Sequence, residues 1–287
     1  MIKQYSQQFG GGWTQTKLDI FTKYLEAYLR ALRNQKFGKI YIDAFAGTGE
    51  IVTQDEEKLI GSAKRALSAS ILFDHYYFIE ADKKKCLELR EMINKEFSAL
   101  SNRITVRHGD ANELLSDILK QIDWKYNRGL LFLDPCATEV SWSTLVSIAD
   151  TKAIDLWYLF PFSALNRLLK KNGELDATWA NCIDRLIGDT GWRKEFYKKD
   201  DQQNLFEILE EEKKDRFIKK ANPEKIRMYI LERLQTLFGC VSENSRFLRN
   251  SKDSPLFLFC FAVSNPSPKA QVLAMKIADQ ILNSKQM

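Results

Sequence analysis

Histidine is scarce in this chain, and its cysteines are not paired in sequence. Only two of the 287 residues are histidines, His75 and His108, so a serine-histidine-aspartate triad or a multi-histidine metal site has few candidates. The five cysteines are odd in number and widely scattered, with no Cys-x-x-Cys pair. Because zinc sites and disulfide frameworks use closely spaced cysteines, we expect mostly buried thiols and no bound metal.

Long apolar runs are missing as well. No stretch approaches the ~20 apolar residues that a membrane-spanning helix needs. The opening residues MIKQYSQQFGGGW also lack the charged-then-apolar pattern of a secretion signal. We therefore expect a cytoplasmic protein without a membrane partner.

The composition is that of a globular protein with a mild basic excess. Hydrophobic residues make up 45% of the chain and charged residues 28%, which is close to average globular usage. Lysine and arginine number 43 against 38 acids, for a net charge of +5. This charge is compatible with a nucleic-acid partner but does not require one.

Apolar strand-like segments alternate with amphipathic helical patterns along much of the chain. The first helix is predicted over 14–33, where apolar residues recur at three- and four-residue steps. The predicted strands are 39–45, 76–81, 104–111, 129–135, 153–161 and 255–265. The later predicted helices are 61–73, 83–97, 113–122, 142–150 and 267–282. This alternation predicts an α/β, doubly wound, Rossmann-like, mostly parallel sheet that binds ligands at the carboxyl ends of its strands.

The segment 162–250 has a different texture, because charged helical sequence dominates it. We predict that it is a charged helical insertion in a Rossmann domain made of 38–161 and 251–287, preceded by an N-terminal helical extension, 1–37. Two interpretations of its charge runs stay open, a solvated helical face and a substrate-binding surface.

The turn after the first strand carries the pattern Gly47-Thr48-Gly49 within IYIDAFAGTGEI. Glycines at this position let a nucleotide-like ligand approach the backbone closely. Val52 stands where a dinucleotide fingerprint has its third glycine, which disfavours NAD. A P-loop is unsupported because no G-x-x-x-x-G-K-[ST] occurs.

Four acids follow successive predicted strands: Asp43, Glu80, Asp110 and Asp134. Their separations are 37, 30 and 24 residues, close to one strand-helix unit each. A carboxylate after the second strand can accept hydrogen bonds from both hydroxyls of a ribose. A single such acid could simply cap a helix, but four in register with a Gly-x-Gly turn favour a nucleotide-like cofactor.

The sequence resembles the four ordered motifs of class I S-adenosylmethionine-dependent methyltransferases in the segments DAFAGTG, FIEAD, HGDANELL and FLDP. More narrowly, it resembles the three-Cys-motif partner protein (TcmP) family in WTQTKLDIFTKYLEAY, IYIDAFAGTG, IGSAKRAL, LFLDP, STLVSIADTKAIDLWYLFP and FLFCFAVSNP. The resemblance covers most of 13–165 and returns near the C-terminus. It implies the class I methyltransferase type of fold and S-adenosyl-L-methionine as cofactor.

The resemblance also implies a role for each strand end. Gly47 and Gly49 would line the methionine part of the cofactor, and Asp43 would receive its amino group directly or through water. Glu80 would hold the ribose hydroxyls, and Asp110 would meet the adenine amine unless it only caps the next helix. The full expected cofactor-binding set is Asp43, Phe45, Gly47, Gly49, Glu80, Ala81, Asp110, Ala111 and Asp134.

Asp134-Pro135 resembles the start of the Asp-Pro-Pro-aromatic motif of amino-methyltransferases that act on nucleic-acid bases. There the acid and a proline carbonyl accept hydrogen bonds from the target amine, so we expect Asp134 and Pro135 to be catalytic. The chain continues Cys136-Ala137, without the second proline or the stacking aromatic. Phe162 is the candidate replacement for that aromatic, with a packed core corner as the alternative. Cys136 is either a small residue under the cofactor or a nucleophile.

Two further pairs of residues are candidates. Trp13 and Lys17 precede or open the first helix, where they could cover the cofactor pocket, although Trp13 could equally be a hydrophobic staple. Asn166 and Arg167 follow the strand that ends at Pro161. They are candidate substrate-side groups, with a solvated helix face as the alternative.

The leading hypothesis is therefore an S-adenosylmethionine-dependent methyltransferase with a nucleic-acid base amine as candidate acceptor. The alternative is a non-catalytic or conditional partner of a separate cysteine-motif protein, in a mobile-element or phage-defence context. There the pocket would serve regulation or assembly. A nicotinamide oxidoreductase is a third and weaker hypothesis because of Val52.

Overall fold

The computed structural model describes residues 12–52, 58–199 and 217–284. The strands are β1 (Gly38–Asp43), β2 (Glu50–Val52), β3 (Lys58–Ile60), β4 (His75–Glu80), β5 (Ile104–His108), β6 (Asn127–Leu133), β7 (Ile154–Phe160), β8 (Tyr197–Lys199), β9 (Phe217–Lys219), β10 (Cys240–Val241), β11 (Arg246–Arg249) and β12 (Pro255–Val263). The helices are α1 (Gly12–Leu32), α2 (Ser62–Leu67), α3 (Lys83–Glu96), α4 (Ala111–Gln121), α5 (Trp142–Asp150), α6 (Phe162–Leu168), α7 (Ala177–Ile187), α8 (Trp192–Phe196), α9 (Pro223–Gln235) and α10 (Pro268–Asn283).

The main sheet has the spatial order β10-β12-β7-β6-β1-β4-β5. The strands β1, β4, β5, β6 and β7 are parallel, whereas β12 runs antiparallel to β7. From β1 the chain moves outward to β5 and then returns to place β6 on the other side of β1. This reversal of strand order creates a crevice at the carboxyl ends of β1 and β6, where sheets of this kind bind ligands. The predicted doubly wound, mostly parallel α/β sheet is confirmed.

Helices cover both faces of the sheet, because the parallel strands are apolar on both sides. One face packs with α1, α2, α3 and α10, and the other with helices α4 to α9. The α1 helix follows its predicted apolar stripe: Phe21 stacks on Phe132 of β6 with ring centroids 4.3 Å apart. Tyr24 lies 4.7 Å from the ring of Phe261 in β12. The first helix therefore belongs to the sheet domain's core.

Five of the ten described helices start after a polar side-chain cap. A side-chain oxygen directly before the helix accepts a hydrogen bond from a backbone N–H of the first turn, which satisfies a donor that the helix leaves unpaired. The residues that cap in this way are Asp82, Asp110, Ser141, Asp176 and Asn222.

The segment predicted as a helical insertion, 162–250, is partly sheet. Within it, β10 and β11 pair with β12 in the main sheet, and β8 pairs with β9. Buried residues of α7, α8 and α9 belong to the same core as the sheet. The described part of 162–250 is therefore integrated into the sheet domain and has no separate core. Residues 1–11 of the predicted extension and 200–216 of the predicted insertion lie outside the described residues.

Two local predictions differ from the structure. The helix predicted over 61–73 ends at Leu67, because Phe73 turns inward and is completely buried, with its N–H donating to the Tyr76 hydroxyl at 3.0 Å. Most cysteines were expected to be buried, but only Cys86 and Cys260 are. None of the described helices is long and apolar enough to cross a membrane.

Candidate cofactor and acceptor site

Gly47 lies in the turn after β1, beside open space. Its φ is +61°, a left-handed conformation that favours glycine, and a Cβ placed on it would have no heavy atom of the described residues within 4 Å. Its backbone N–H donates to Oε2 of Glu80 at 2.9 Å. The turn is therefore anchored to the next strand and leaves room for a ligand where a side chain would otherwise project.

Gly49 faces the protein. Its φ is +84°, and a Cβ placed on it would lie 2.4 Å from Cε of Met92 and 3.5 Å from Cδ1 of Leu89, both in α3. Its carbonyl accepts the N–H of Gly61 at 2.9 Å, which ties the turn to the start of α2. A side chain at Gly49 would therefore point toward α3, and the expected contact of the Gly49 backbone with a ligand stays a prediction.

Glu80, at the end of β4, links three strand ends. Its Oε2 accepts from Gly47, its Oε1 accepts from the N–H of Asp82 at 2.8 Å, and its carbonyl accepts from Gly109 at 3.1 Å. An ionised carboxylate has about four acceptor positions, and the described residues use two of them, which leaves two for a ligand. Glu80 can thus hold a diol while its orientation stays fixed by the backbone.

Asp43 is completely buried beneath the turn. Its Oδ1 accepts from the N–H of Phe45 at 3.2 Å, and its Oδ2 accepts from the Tyr41 hydroxyl at 3.2 Å. Burial raises the pKa of Asp43 to about 7; hydrogen bonds, led by that from Ser62, oppose this rise and the negative charge of Asp134 adds to it. In this conformation the carboxylate orders the turn from within and does not face a ligand directly, while contact through water stays a prediction.

Asp110 caps α4, as its alternative interpretation predicted. Its Oδ1 accepts from the N–H groups of Asn112 at 2.8 Å and Glu113 at 3.2 Å, and the residue is exposed. None of the hydrogen bonds described for Asp110 uses Oδ2, so capping leaves one oxygen for an adenine amine. Of the neighbouring predicted residues, Ala81 is exposed and Ala111 is buried.

Asp134 follows β6 and forms an ion pair through Oδ2 with the ammonium group of Lys17 in α1. The side chain of Lys17 is only 4% exposed, whereas that of Asp134 is 22% exposed. The ammonium also lies 5.2 Å from the ring centroid of Trp13, and that ring packs 5.2 Å from Phe257 of β12. The structure thus brings Lys17 to the site, while Trp13 packs on the sheet beside it.

The loop after Asp134 places Cys136 near two acids. Desolvation, together with the negative charges of Glu139 and Asp134, raises the pKa of the Cys136 thiol to about 11. A thiol with this pKa stays protonated at neutral pH and is a poor nucleophile. This favours the interpretation of Cys136 as a small residue beside the ligand. The adjacent Pro135 is buried.

Asn112 fixes the same loop and was missed by the sequence analysis. Its Nδ2 donates to the carbonyl of Glu139 at 2.9 Å, and its Oδ1 accepts from the N–H of Ser141 at 2.9 Å and the hydroxyl of Thr144 at 2.7 Å. Asn112 therefore connects the start of α4 to the loop after Asp134. Its position in HGDANELL, two residues after Asp110, was the available signal.

Phe162, the candidate stacking residue, is only 1% exposed. Its ring meets Phe247 of β11 edge to face, with centroids 4.9 Å apart. The first residue of α6 therefore points into the core, as the packed-corner alternative predicted, and it presents no stacking surface in this conformation. Asn166 and Arg167 lie exposed further along α6, and Oδ1 of Asn166 accepts from Nζ of Lys219 at 2.7 Å.

No cluster of three or more potential metal-ligating acids, histidines or cysteines occurs among the described residues. The arrangement is instead a backbone cradle with carboxylates on neighbouring strand ends. Such a cradle suits a ligand that carries hydroxyl and amino donors.

Known proteins resemble this chain in fold only. No protein-family model matches it, and no curated protein matches it in sequence. Protein LPL1258 of Legionella pneumophila, assigned to family DUF519, superposes with a TM-score of 0.50 at 12% identity, covering 96% of this chain and 94% of its own. A spermidine synthase in complex with the transition-state analogue AdoDATO has a TM-score of 0.41 at 9% identity, covering 96% and 66%. The plantazolicin methyltransferase BamL, solved with S-adenosylhomocysteine (SAH), has 0.38 at 9% identity, covering 88% and 86%.

At these identities a structural likeness speaks to architecture alone. The match to the Legionella protein spans nearly the whole length of both chains. The narrower resemblance to the TcmP family stays a prediction. What the comparison and the strand order establish together is that this chain has a Rossmann-like α/β fold.

Proposed function

We propose that this chain is an S-adenosylmethionine-dependent methyltransferase. The observation that carries the proposal is the bond from the Gly47 N–H to Glu80, beside the open space in front of Gly47 and next to the strand end that bears Asp134. Glu80 offers a carboxylate for a diol, Gly47 offers backbone without a side chain, and Asp134 offers a carboxylate for the acceptor. All three lie where the strand order of the sheet reverses.

The residues present fit this cofactor. The open face of Gly47 leaves room for its methionine part, and the two remaining acceptor positions of Glu80 suit its ribose hydroxyls. The Oδ2 atom of Asp110 is available for an adenine amine. When bound, S-adenosylmethionine supplies an electrophilic methyl group on a positively charged sulfur.

The role of Asp134 is to position the acceptor. Lys17 engages Oδ2, so Oδ1 can accept a hydrogen bond from the amine that receives the methyl group. This bond orients the nitrogen lone pair, and holding the two reactants in one geometry lowers the entropic part of the barrier. Because Asp134-Pro135 resembles the motif of base-modifying enzymes and the chain is basic, we propose a nucleic-acid base amine as the acceptor.

Calorimetric titration with SAH tests this proposal. We expect wild type to bind, and Glu80→Ala to bind at least tenfold more weakly because the diol loses its carboxylate. Glu88→Ala is the matched control, since Glu88 lies on the exposed side of α3 and its side chain is 45% exposed. Absence of binding by wild type at millimolar ligand would overturn the proposal.

The Lys17–Asp134 ion pair also favours a second function. The ammonium group occupies one oxygen of the expected catalytic acid, so the free chain can be a conditional subunit. In this proposal a separate cysteine-motif protein, in a phage-defence context, moves α1 and frees Asp134. Asp134→Ala separates the two functions. Lost activity with retained SAH binding supports catalysis by Asp134, whereas unchanged biological function supports the partner role.

A further inference from the structure

Exposed basic side chains recur on the elements that follow the strand end next to the acceptor side of the site. They lie on α6, on the loop after it, on β8 and just after β9. We call this set the hairpin basic surface, and its members are Arg167, Lys170, Lys171, Lys198 and Lys220.

The parts of this surface are fixed to one another. The backbone N–H of Lys219 donates to the carbonyl of Lys171 at 2.9 Å, and the Tyr197 hydroxyl donates to the carbonyl of Lys170 at 3.0 Å. Gly173 has φ +70°, and a Cβ placed on it would lie 2.7 Å from Cβ of Phe217, so the loop and β9 are in close contact. The β8–β9 hairpin therefore presents its lysines at defined positions beside α6.

The positive charge of the hairpin basic surface is not neutralised within the described residues. None of the ion pairs between described residues of this region involves its five members. Three described acids nearby accept hydrogen bonds from groups outside this set, and of the three only Glu195 is paired with a cation. Asp176 accepts from the N–H of Trp179 at 2.9 Å, Glu174 accepts from Asn172 at 2.8 Å, and Glu195 pairs with Lys225 at 3.1 Å.

Aromatic and apolar side chains lie among these cations. Phe217 is 43% exposed and Ile218 is 38% exposed on β9. The ammonium group of Lys170 lies 4.8 Å from the ring centroid of Trp179. Cations interleaved with exposed aromatic surface suit a polyanion that also carries flat bases, which is the chemistry of single-stranded nucleic acid.

The surface begins where the acceptor side of the site ends. The strands β6 and β7 are parallel neighbours, so Asp134 and Pro161 follow strand ends on the same edge of the sheet. Helix α6 starts at Phe162, and Arg167 lies five residues further, about 8 Å along the helix axis. The start of α6 thus connects the sheet edge that bears Asp134 to the first cation of this surface, Arg167.

We propose that the hairpin basic surface binds the phosphate backbone of a single-stranded nucleic acid and leads the acceptor base to Asp134. The part of this inference that leads a base to Asp134 rests on the proposed methyl transfer. The binding itself needs only the lysines and Phe217.

Fluorescence anisotropy with the full chain and a labelled single-stranded RNA of mixed sequence, about 20 nucleotides long, tests the proposal. We expect the triple variant Lys170→Gln, Lys171→Gln, Lys198→Gln to bind about tenfold more weakly. Its slope of log affinity against log salt should fall by about 2, because three phosphate contacts are lost. Phe217→Ser should weaken binding several-fold without changing that slope.

The matched control is the triple variant Lys95→Gln, Lys120→Gln, Lys276→Gln, which removes the same charge from exposed sites on α3, α4 and α10. Its binding should change less than about twofold. Equal losses in both triple variants would show attraction by net charge alone and overturn the proposal. Preference for an acidic polypeptide, such as polyglutamate, over the RNA would also overturn it.

SAH titrations of the same variants separate this inference from the proposed function. If the chain binds RNA through the three lysines but does not bind SAH, the proposed nucleic-acid surface is supported and the proposed methyltransferase function is rejected. If the chain binds SAH but not RNA, the proposed cofactor site is supported and the proposed nucleic-acid surface is rejected. Should the triple variant fail to fold, the single substitution Lys198→Gln gives the same comparison with a smaller shift.

Discussion

Lys17 in α1 and Asp134 after β6 form an ion pair across 117 residues of sequence. Lys17 is the more enclosed partner, and α1 holds it in place by packing Phe21 and Tyr24 against the sheet. The expected acceptor carboxylate is therefore oriented by a helix that lies outside the four methyltransferase-like motifs.

Removing one partner of this pair should destabilise the fold. For Lys17→Met we expect a loss of about 1–3 kcal/mol in the free energy of unfolding, because a partly enclosed carboxylate is left unpaired. The lower part of that range applies if water reaches Asp134, whose side chain is 22% exposed. Urea denaturation of the two single variants and of Lys17→Met/Asp134→Asn gives the coupling energy, and strict additivity would contradict a direct interaction.

Substitution of the two turn glycines should have different effects. Alanine at either position strains a left-handed backbone by about 1–2 kcal/mol. Gly47→Ala also places a methyl group in the open space, so it should weaken SAH binding strongly. Gly49→Ala should leave binding closer to wild type, because the new methyl group meets Met92. Calorimetry and thermal unfolding of both variants measure the two effects, and equal binding losses would contradict the assignment.

Asp43 should make stability fall as the pH rises. Its native pKa of about 7 lies above the ordinary value of 3.8. Between these two pH values the native state therefore keeps a proton that the unfolded state has lost. The contribution to stability is fully present below about pH 4 and is lost as the pH rises through about 7, and its size is about 4 kcal/mol. Asp43→Asn should flatten this dependence in urea denaturation across that range. Asp117→Asn, at an exposed site on α4, should leave it unchanged.

Cys136 should react slowly despite its exposure. With a pKa of about 11, its thiolate fraction near pH 8 is about 100-fold below that of an ordinary cysteine thiol. Alkylation with iodoacetamide, followed by mass spectrometry of the Cys136 peptide, measures the rate. The rate should climb with pH beyond the point where a free thiol saturates. Fast modification at neutral pH would instead restore the nucleophile interpretation.

Phe162→Ala should act on stability. The ring is 1% exposed and packs on Phe247, so its loss should cost about 3–5 kcal/mol. Tyr126→Ala is the control, because an aromatic that is 60% exposed should change stability by less than about 0.5 kcal/mol. Denaturation midpoints of both variants provide the comparison. A stable Phe162→Ala variant with impaired acceptor binding would support the stacking role.

The order of strands and helices was predictable because its signals are local. Apolar runs and helical periodicity mark each element, and the strand-end acids Asp43, Glu80, Asp110 and Asp134 follow directly from them. The strands β10 and β11 were missed because two and four residues are too short to show a periodicity. They form because β12 offers them an edge.

The site was less predictable because its details depend on distant contacts. Nothing near Gly49 in sequence indicates that Met92 lies against it, and nothing near Asp134 indicates Lys17. The burial of Phe162 is likewise set by Phe247, which is 85 residues away. Residue types at strand ends could be assigned from sequence, whereas the direction in which each side chain points required the fold.

The packing of α1 on β12 also determines when the protein can finish folding during translation. Trp13 and Tyr24 contact Phe257 and Phe261, which a ribosome adds more than 200 residues later. Until then the apolar face of α1 lacks those partners, so a nascent chain keeps hydrophobic surface available to chaperones. The lysine that pairs with Asp134 is carried on that same helix. Docking of this helix on β12 is thereby delayed until residues 257–261 have been translated.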